Sequence, residues 1–505
     1  MTSFDLSLET LQMAVGDNIH LLAGIAVFGL VTLASVAIYR LWFHPLASIP
    51  GPKLAAVSED WLYRASKGKF VEPYLESLHR KYRSKVIRIA PNEVHIIEPE
   101  LYKVIYSQGT PYKKPWSFYQ SFHMPHSLTT EIDPQAHRGR RRTLNQYFSK
   151  RAVENLSPLV LDKITRLENQ LRRMDKTFDV HKAIHCMTVD AISDYAFGSD
   201  SNLIEASDTF EAEFLDILNL TLSNFVDLLF HPTLSRLKFL LPKPLLLKVD
   251  KGMGKLVQLD EWAKECLDRH KAKLKEKQLG DEHLVFFDSL EDIGDEGKRS
   301  LATEFLVAGS DTSALTVTYG IYHILSNPKI RDRLTRELEE ALPSIDTAPT
   351  LLQLEKIPYL TGCVNESLRL ACPVPGRLPR VVPDGKPLVV DDTIIPPGSI
   401  VGMSIYNLHF DEKLWGSDVL DFNPERWLNQ NEERLDQWLA PFSKGSRALA
   451  TAEVRMTLAV LFRRWDLSLP PGAKLGKKKD VFVTHISSPG LLLNCRPKTE
   501  YDDKE

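Results

Sequence analysis

The stretch 21–38 reads LLAGIAVFGLVTLASVAI, eighteen residues without a charge. It constrains the chain more than any other segment. In hydrocarbon, a single run can satisfy its backbone only as a helix, and this one is long enough to span. The competing use of such a run is a cleaved secretory signal, which carries a basic segment ahead of its apolar core. Here Asp5, Glu9 and Asp17 precede the run with no Lys or Arg, while Arg40 and Lys53 follow it. That charge order predicts a retained single-pass anchor over 21–38, a lumenal tail over 1–20 and the rest of the chain in the cytosol. The sequons at Asn155, Asn219 and Asn365 then face away from the glycosylation machinery, and a glycan found on Asn219 would overturn the topology. HPLASIPGPKL follows, with Pro45, Pro50 and Pro52. Proline fixes φ and restricts its predecessor, so 39–60 reads as a stiff hinge that sets the angle of the body.

Residues 61–505 contain no linker or repeat and read as one large domain, mainly α with a small β portion. VIRIAPNEVHII (86–97) shows two β-type runs around Pro91 and Asn92, a hairpin signal. Helices are expected from His137, over 299–326, 328–342 and 358–371, and over 449–465, where Val454, Leu458 and Leu461 share a face. PLVVDDTIIPPGSIVGMS (387–404) reads as short strands and turns. The apolar stretch 225–249 is broken by Pro232, Pro242 and Pro244, so it cannot span a membrane. It is either ordinary packing or a lip that dips into the bilayer and admits lipophilic substrate. A net charge of −3 argues against nucleic acid as the main partner. Cys186, Cys266, Cys363, Cys372 and Cys495 form no C-x-x-C pair, so neither a disulfide nor a zinc framework is expected, and a reducing compartment fits.

Three groups of residues point to chemistry. AGSDTS (308–313) puts Gly309, Asp311 and Thr312, all poor helix formers, inside an apolar helix. A glycine there lets a ligand approach the backbone, and an acid beside an alcohol can relay protons. The alternative is a break, with Gly309 ending one helix and Asp311 capping the next. His137–Arg142 holds four arginines; on a helix His137 and Arg141 lie one turn apart and can clamp a carboxylate, with Arg380 and Arg447 as further cations. Glu366 and Arg369 in NESLRL meet at i, i+3, and Arg426 in FNPERW can complete an Arg–Glu–Arg cluster. Taken alone, that pair reads as an ordinary surface ion pair worth little.

In order and spacing these pieces resemble the haem-thiolate monooxygenases of the cytochrome P-450 superfamily: the anchor, the Pro-rich hinge, HRGRR, AGSDTS, ESLR, PERW and FSKGSR. The hinge and the APNEVHI hairpin look most like fungal microsomal members that oxidise terpenoid or other secondary metabolites. The resemblance implies the P-450 fold and haem b. It implies NADPH electrons delivered by a reductase docking on a basic face, and one oxygen atom placed in a lipophilic C–H bond. It implies a monomer in the endoplasmic reticulum membrane. By position, His137, Arg141, Arg380 and Arg447 would hold the haem propionates, and Asp311 and Thr312 would deliver protons. Glu366, Arg369 and Arg426 would brace the haem loop, and the turn Ser487 to Gly490 would touch substrate.

One departure is severe. The family loop runs F-x-x-G-x-R-x-C-x-G; Phe442, Gly445 and Arg447 match it, but Leu449 stands where the iron-ligating cysteine belongs and Thr451 where the second glycine belongs. Because LATAE (449–453) resembles family sequence from slightly further on, about five residues of the kind C-L-G-I-N are missing between Ala448 and Leu449. The thiolate pushes electron density onto iron and sits at the positive end of the next helix. Losing it removes the ligand and should slide or unwind that helix. Cys372, Cys495 and His485 are the nearest replacements in sequence, and no motif places any of them at the iron. Three readings follow: a monooxygenase, a non-catalytic anchored relative, or a misplaced exon boundary near Ala448.

Overall fold

The computed structural model describes residues 8–174, 177–276, 287, 293–428, 435–442 and 448–499. Arg447 and the rest of SKGSR lie outside the described residues, as does the start of the proposed lumenal tail.

Helix α1, Leu8–Ile38, runs into a π-helical turn at Tyr39–Phe43. Within this continuous helical run, the 23 residues Leu21–Phe43 are long and apolar enough to cross a membrane and are not buried against the protein. The apolar helix thus passes the expected end at 38 by five residues, and it meets the body through Arg40, whose Nη1 donates to the Val57 carbonyl at 2.5 Å.

The body is mainly helical. Helix α2 is Pro134–Asn145, α3 is Lys150–Leu171, α4 is Val180–Phe197 and α5 is Lys251–Glu276. The longest, α6, is Asp295–Ser326; α7 is Pro328–Ala341, α8 is Pro358–Ala371 and α9 is Ala448–Arg464. Asp133 caps α2 by accepting from the Gln135 amide at 2.9 Å, so this helix starts before His137, where the basic run alone placed it. Helix α6 starts at Asp295 rather than 299, and α9 at Ala448 rather than 449. Proline opens α7 and α8, where the missing amide costs nothing.

The β portion is small. Strand β1, Val86–Ala90, and β2, Glu93–Ile96, form the expected antiparallel hairpin. Strand β3 is Phe178–Asp179, β4 is Arg380–Val381, β5 is Leu388–Val390, β6 is Thr393–Ile395 and β7 is Ile400–Gly402. One sheet has the order β1-β2-β7-β4, with β2 and β7 parallel. Strands β8, Trp465–Ser468, and β3 flank β11, Leu492–Pro497, while β9, Lys478–Asp480, pairs with β10, Thr484–Ile486.

Helix α6 runs through the main core. Eighteen of its residues are buried, and α4, α5, α8 and α9 pack around it. It does not break at AGSDTS, so the capping alternative fails. Three hydroxyls bond back one turn along the helix: Ser310 to the Leu306 carbonyl at 2.5 Å, Thr312 to Ala308 at 2.8 Å and Thr316 to Thr312 at 2.8 Å. Gly309 also serves packing. A Cβ on it would lie 2.8 Å from Ile192 Cγ1 of α4, so a larger residue would force the two helices or that side chain to shift. The stretch 225–249 forms three short helices that expose leucines among charged residues such as Arg236 and Lys248; Leu237 is 58% exposed, and Leu240, between the second and third helix, 80%.

Candidate functional site

Three of the four cations predicted to clamp an anion lie in the described residues, and the fold brings them together with a fourth that the sequence reading missed. His137 and Arg141 sit on α2 and Arg380 on β4. The backbone bridge from Val381 to Lys113 delivers Lys114 to the same place. Lys114 Nζ donates to the carbonyls of Leu128 and Thr129 at 2.9 and 2.8 Å, and Glu304 of α6 holds that loop by accepting from both amides at 2.8 Å. Arg380 donates to the Tyr119 hydroxyl at 2.6 Å. The crowding shows in the protonation equilibria. Burial, then Arg380, pushes Lys114 down to about 8; burial, then Lys114, Arg141 and Arg380, pushes His137 down to about 4. A desolvated Lys114 with Arg380, beside a His137 that burial and their charge keep neutral, makes an arrangement suited to an anionic ligand. The only hint of Lys114 in the sequence is the pair Lys113-Lys114 ahead of Pro115.

Glu366 and Arg369 are not a surface pair. Both are fully buried, 2.8 Å apart, and Arg426 Nε reaches the same carboxylate at 2.9 Å. Arg369 Nη1 donates to the His409 and Val419 carbonyls, and Arg426 Nη1 to that of Trp415. The chain of bonds continues. His409 Nδ1 donates to the Arg369 carbonyl at 3.1 Å, and its Nε2 accepts from the Ala440 amide at 2.9 Å. The cluster therefore pins the segment that leads into 441–447. Between Phe442 and Ala448 a cleft of about 310 Å³ opens, lined also by Leu368, Thr451 and Arg455.

Asp311 and Thr312 point different ways. Thr312 bonds its own helix, whereas Asp311 is buried against α4, where His185 Nδ1 lies 3.9 Å from Oδ1. Burial alone pushes the Asp311 carboxyl up to about 7. Its Oδ2 and the His185 Nε2 have no hydrogen-bond partner. The spacing H-x-x-x-H in HKAIH (181–185) was the available signal for this cluster. The Ser487 to Gly490 turn packs against the same helix start. Gly490 N donates to Asp179 Oδ2 at 2.8 Å, and a Cβ on Gly490 would come within 2.5 Å of His181 Cβ.

Helix α9 is not unwound. Ser313 of α6 donates to its Glu453 at 2.7 Å inside the core, and burial pushes the Glu453 carboxyl up to about 8. A thiolate next to its start is another matter. Cys186, Cys266, Cys363 and Cys372 are buried, with burial pushing every thiol up, and Cys495 lies in β11 with its thiol at about 11. No cysteine is prepared as an anion.

The family model described as Cytochrome P450 matches residues 55–493. The chain belongs to the cytochrome P450 family. It is 30% identical over 463 residues to the cytochrome P450 monooxygenase aneF of Aspergillus aculeatus, covering 87% of this chain and 92% of that protein. It is 31% identical over 490 residues to the cytochrome P450 monooxygenase hkm5 of Aspergillus hancockii, covering 92% and 93%. It is 29% identical over 450 residues to a protein named inactive cytochrome P450 monooxygenase cloA of Claviceps fusiformis, covering 86% of each chain. Membership makes this an oxidoreductase of a haem-iron monooxygenase family that draws electrons from a reductase, and the mainly helical fold agrees. The residues fit that cofactor on one side only. The cationic cradle suits two propionates, but the described residues and SKGSR offer no thiolate for the iron.

Proposed function

We propose that this P450 is a membrane-anchored monooxygenase of fungal secondary metabolism acting on a lipophilic small molecule such as a terpenoid. Its catalytic form carries a short cysteine-bearing segment between Ala448 and Leu449. The observation that carries this reading is the intact buried machinery around an incomplete loop. The Glu366–Arg369–Arg426 cluster still reaches Ala440 through His409, and Ser313 still seats Glu453. Buried ionic groups are costly unless fully paired; ahead of the gap the Glu366 cluster remains fully paired, whereas beyond it Glu453 Oε1 and Arg455 Nε have no hydrogen-bond partner.

In this reading haem-thiolate iron would supply the oxygen activation, and the chain as written cannot hold it that way. Lys114, His137, Arg141 and Arg380 would hold the propionates, joined by Arg447 from outside the described residues. Asp311 and Thr312 are assigned to proton delivery, and Glu366, Arg369 and Arg426 to bracing the loop. Residues 21–43 would anchor the domain to the endoplasmic reticulum, facing an NADPH-dependent reductase in the cytosol. The exposed Leu237 and Leu240 support the membrane-lip reading of 225–249.

The first test is the expressed transcript across the codons for Phe442 to Glu453. About five extra codons including one for cysteine are expected, and a transcript matching the present chain would refute the catalytic form. The protein-level test is the ferrous–CO spectrum. Inserting C-L-G-I-N after Ala448 should produce a thiolate-type Soret band, and Leu449→Cys alone should not, because the turn glycine would still be missing. The absent cysteine favours a second reading for the chain as written, that of a non-catalytic relative. A transcript without the extra codons and a purified protein without haem would establish it.

A further inference from the structure

His181 and His185 lie one turn apart on α4, and Asp311 of α6 faces them. One ligand atom from each lies within 4.8 Å of the other two. We propose that these three side chains form a binding site for a divalent transition-metal ion of the zinc class, separate from the haem cradle.

The hydrogen bonds prepare the donors. Thr318 Oγ1 lies 2.7 Å from the Ala314 carbonyl and 3.1 Å from His181 Nδ1. That contact engages Nδ1 and orients the ring. An outer hydroxyl or carbonyl that fixes the imidazole in this way is the usual support of a metal-binding histidine. His185 and Asp311 are each 2% exposed, and each keeps an unpartnered polar atom, Nε2 and Oδ2. The usual remedy for a buried polar atom is a hydrogen bond, and none is made here; the His185 nitrogen nearest Asp311 is Nδ1, 3.9 Å from Oδ1, and a cation bound between them would satisfy the carboxylate.

The donor set points to the metal. Two imidazoles and one carboxylate are the ligands of open zinc sites, with bonds of about 2.0–2.2 Å. Ligand atoms on a tetrahedral ion lie about 3.3 Å apart, so a spacing within 4.8 Å closes by side-chain rotation alone. Half-buried His485 of β10 stands close enough to act electrostatically on both histidines and has an unpartnered Nδ1. His181 keeps 8% of its surface exposed and provides the entry. While the metal is bound, the Asp311 carboxylate is held as a ligand and cannot carry a proton, so occupancy and the proton delivery proposed above exclude one another.

The test titrates the full-length chain, purified in detergent, with CoCl2 and follows the visible d–d bands of tetrahedral cobalt. One equivalent should bind, and ZnCl2 should bleach the bands. Asp311→Asn and His185→Gln should each weaken binding about tenfold or more with far-UV CD unchanged. Thr318→Val is nearly isosteric and keeps all three ligands; it should weaken binding about 10–100-fold by releasing the His181 ring. His323→Gln, at a buried histidine stacked on Phe422, should bind as the parent does. No saturable cobalt band in the parent would overturn the proposal, as would parent-like affinity in folded Asp311→Asn or Thr318→Val. Because the measurement needs no haem, its failure leaves the monooxygenase reading standing, and failure of that reading leaves the metal site untouched.

Discussion

Glu366→Gln tests the buried cluster directly. Glu366 accepts five hydrogen bonds: from Arg369 Nε and Nη2 at 2.9 and 2.8 Å, Arg426 Nε at 2.9 Å, Trp427 Nε1 at 3.0 Å and the Asn423 amide at 3.1 Å. Glutamine keeps the shape, removes the charge and turns an N–H toward groups that are all donors. Breaking one partner out of a buried ion pair costs about 3–5 kcal/mol, because the remaining charge stays buried and uncompensated. Two guanidiniums are affected here, although Arg369 retains carbonyls of His409, Val419 and Asp421. Scaled by an unfolding entropy of about 2.1 cal/mol/K per residue, that loss lowers the melting temperature by roughly 3–5 °C in a chain of this size. The assay is thermal unfolding of the full-length protein in detergent, followed by near- and far-UV CD. Glu76→Gln is the control. Its pair with Arg80 is largely exposed, with side chains 31% and 71% accessible, and such pairs contribute about 0–1 kcal/mol. A Glu366→Gln shift no larger than that of Glu76→Gln would refute the claim that the cluster pins the segment running to Ala440.

Two further outcomes are expected. Glu453 is held near 8 in the fold against an unfolded value near 4.5, so the unfolded chain binds fewer protons between those values, and stability falls as pH rises through that window. Glu453→Gln should flatten this part of the stability–pH curve, and an unchanged slope from pH 5 to 8 by denaturant unfolding would refute the assignment. A fluorophore on Leu240→Cys should be quenched by acyl-chain quenchers when the chain is in nanodiscs; quenching no greater than from a label on Lys386→Cys would sink the lip reading.

Elements set by local chemistry were legible from the residues. The β1–β2 hairpin is marked by Pro91-Asn92 between β-branched runs, and α8 by Pro358 ahead of a continuous helical pattern. The order of motifs carried the family, which the match over residues 55–493 bears out. Features that depend on what lies opposite were not legible. Glu366–Arg369 alone read as an ordinary surface pair, Arg426 in FNPERW marked the cluster, and the meander folding over α8 shows how deeply it is buried. The close approach of Gly309 to Ile192 of α4 had no local signal. Lys114 joins the cradle because a bridge to β4 brings it there, and no local pattern encodes that bridge.

The amino-acid sequence by itself determined the long apolar N-terminal helix, the family and the absence of the loop cysteine, because each is a matter of residue type and spacing along one strand of chain. Only the tertiary structure decided which charges are buried, which way Asp311 faces and which histidines meet it. Burial and mutual approach depend on segments more than a hundred residues apart, and the free energy of a polar group is set by what surrounds it rather than by its neighbours in sequence.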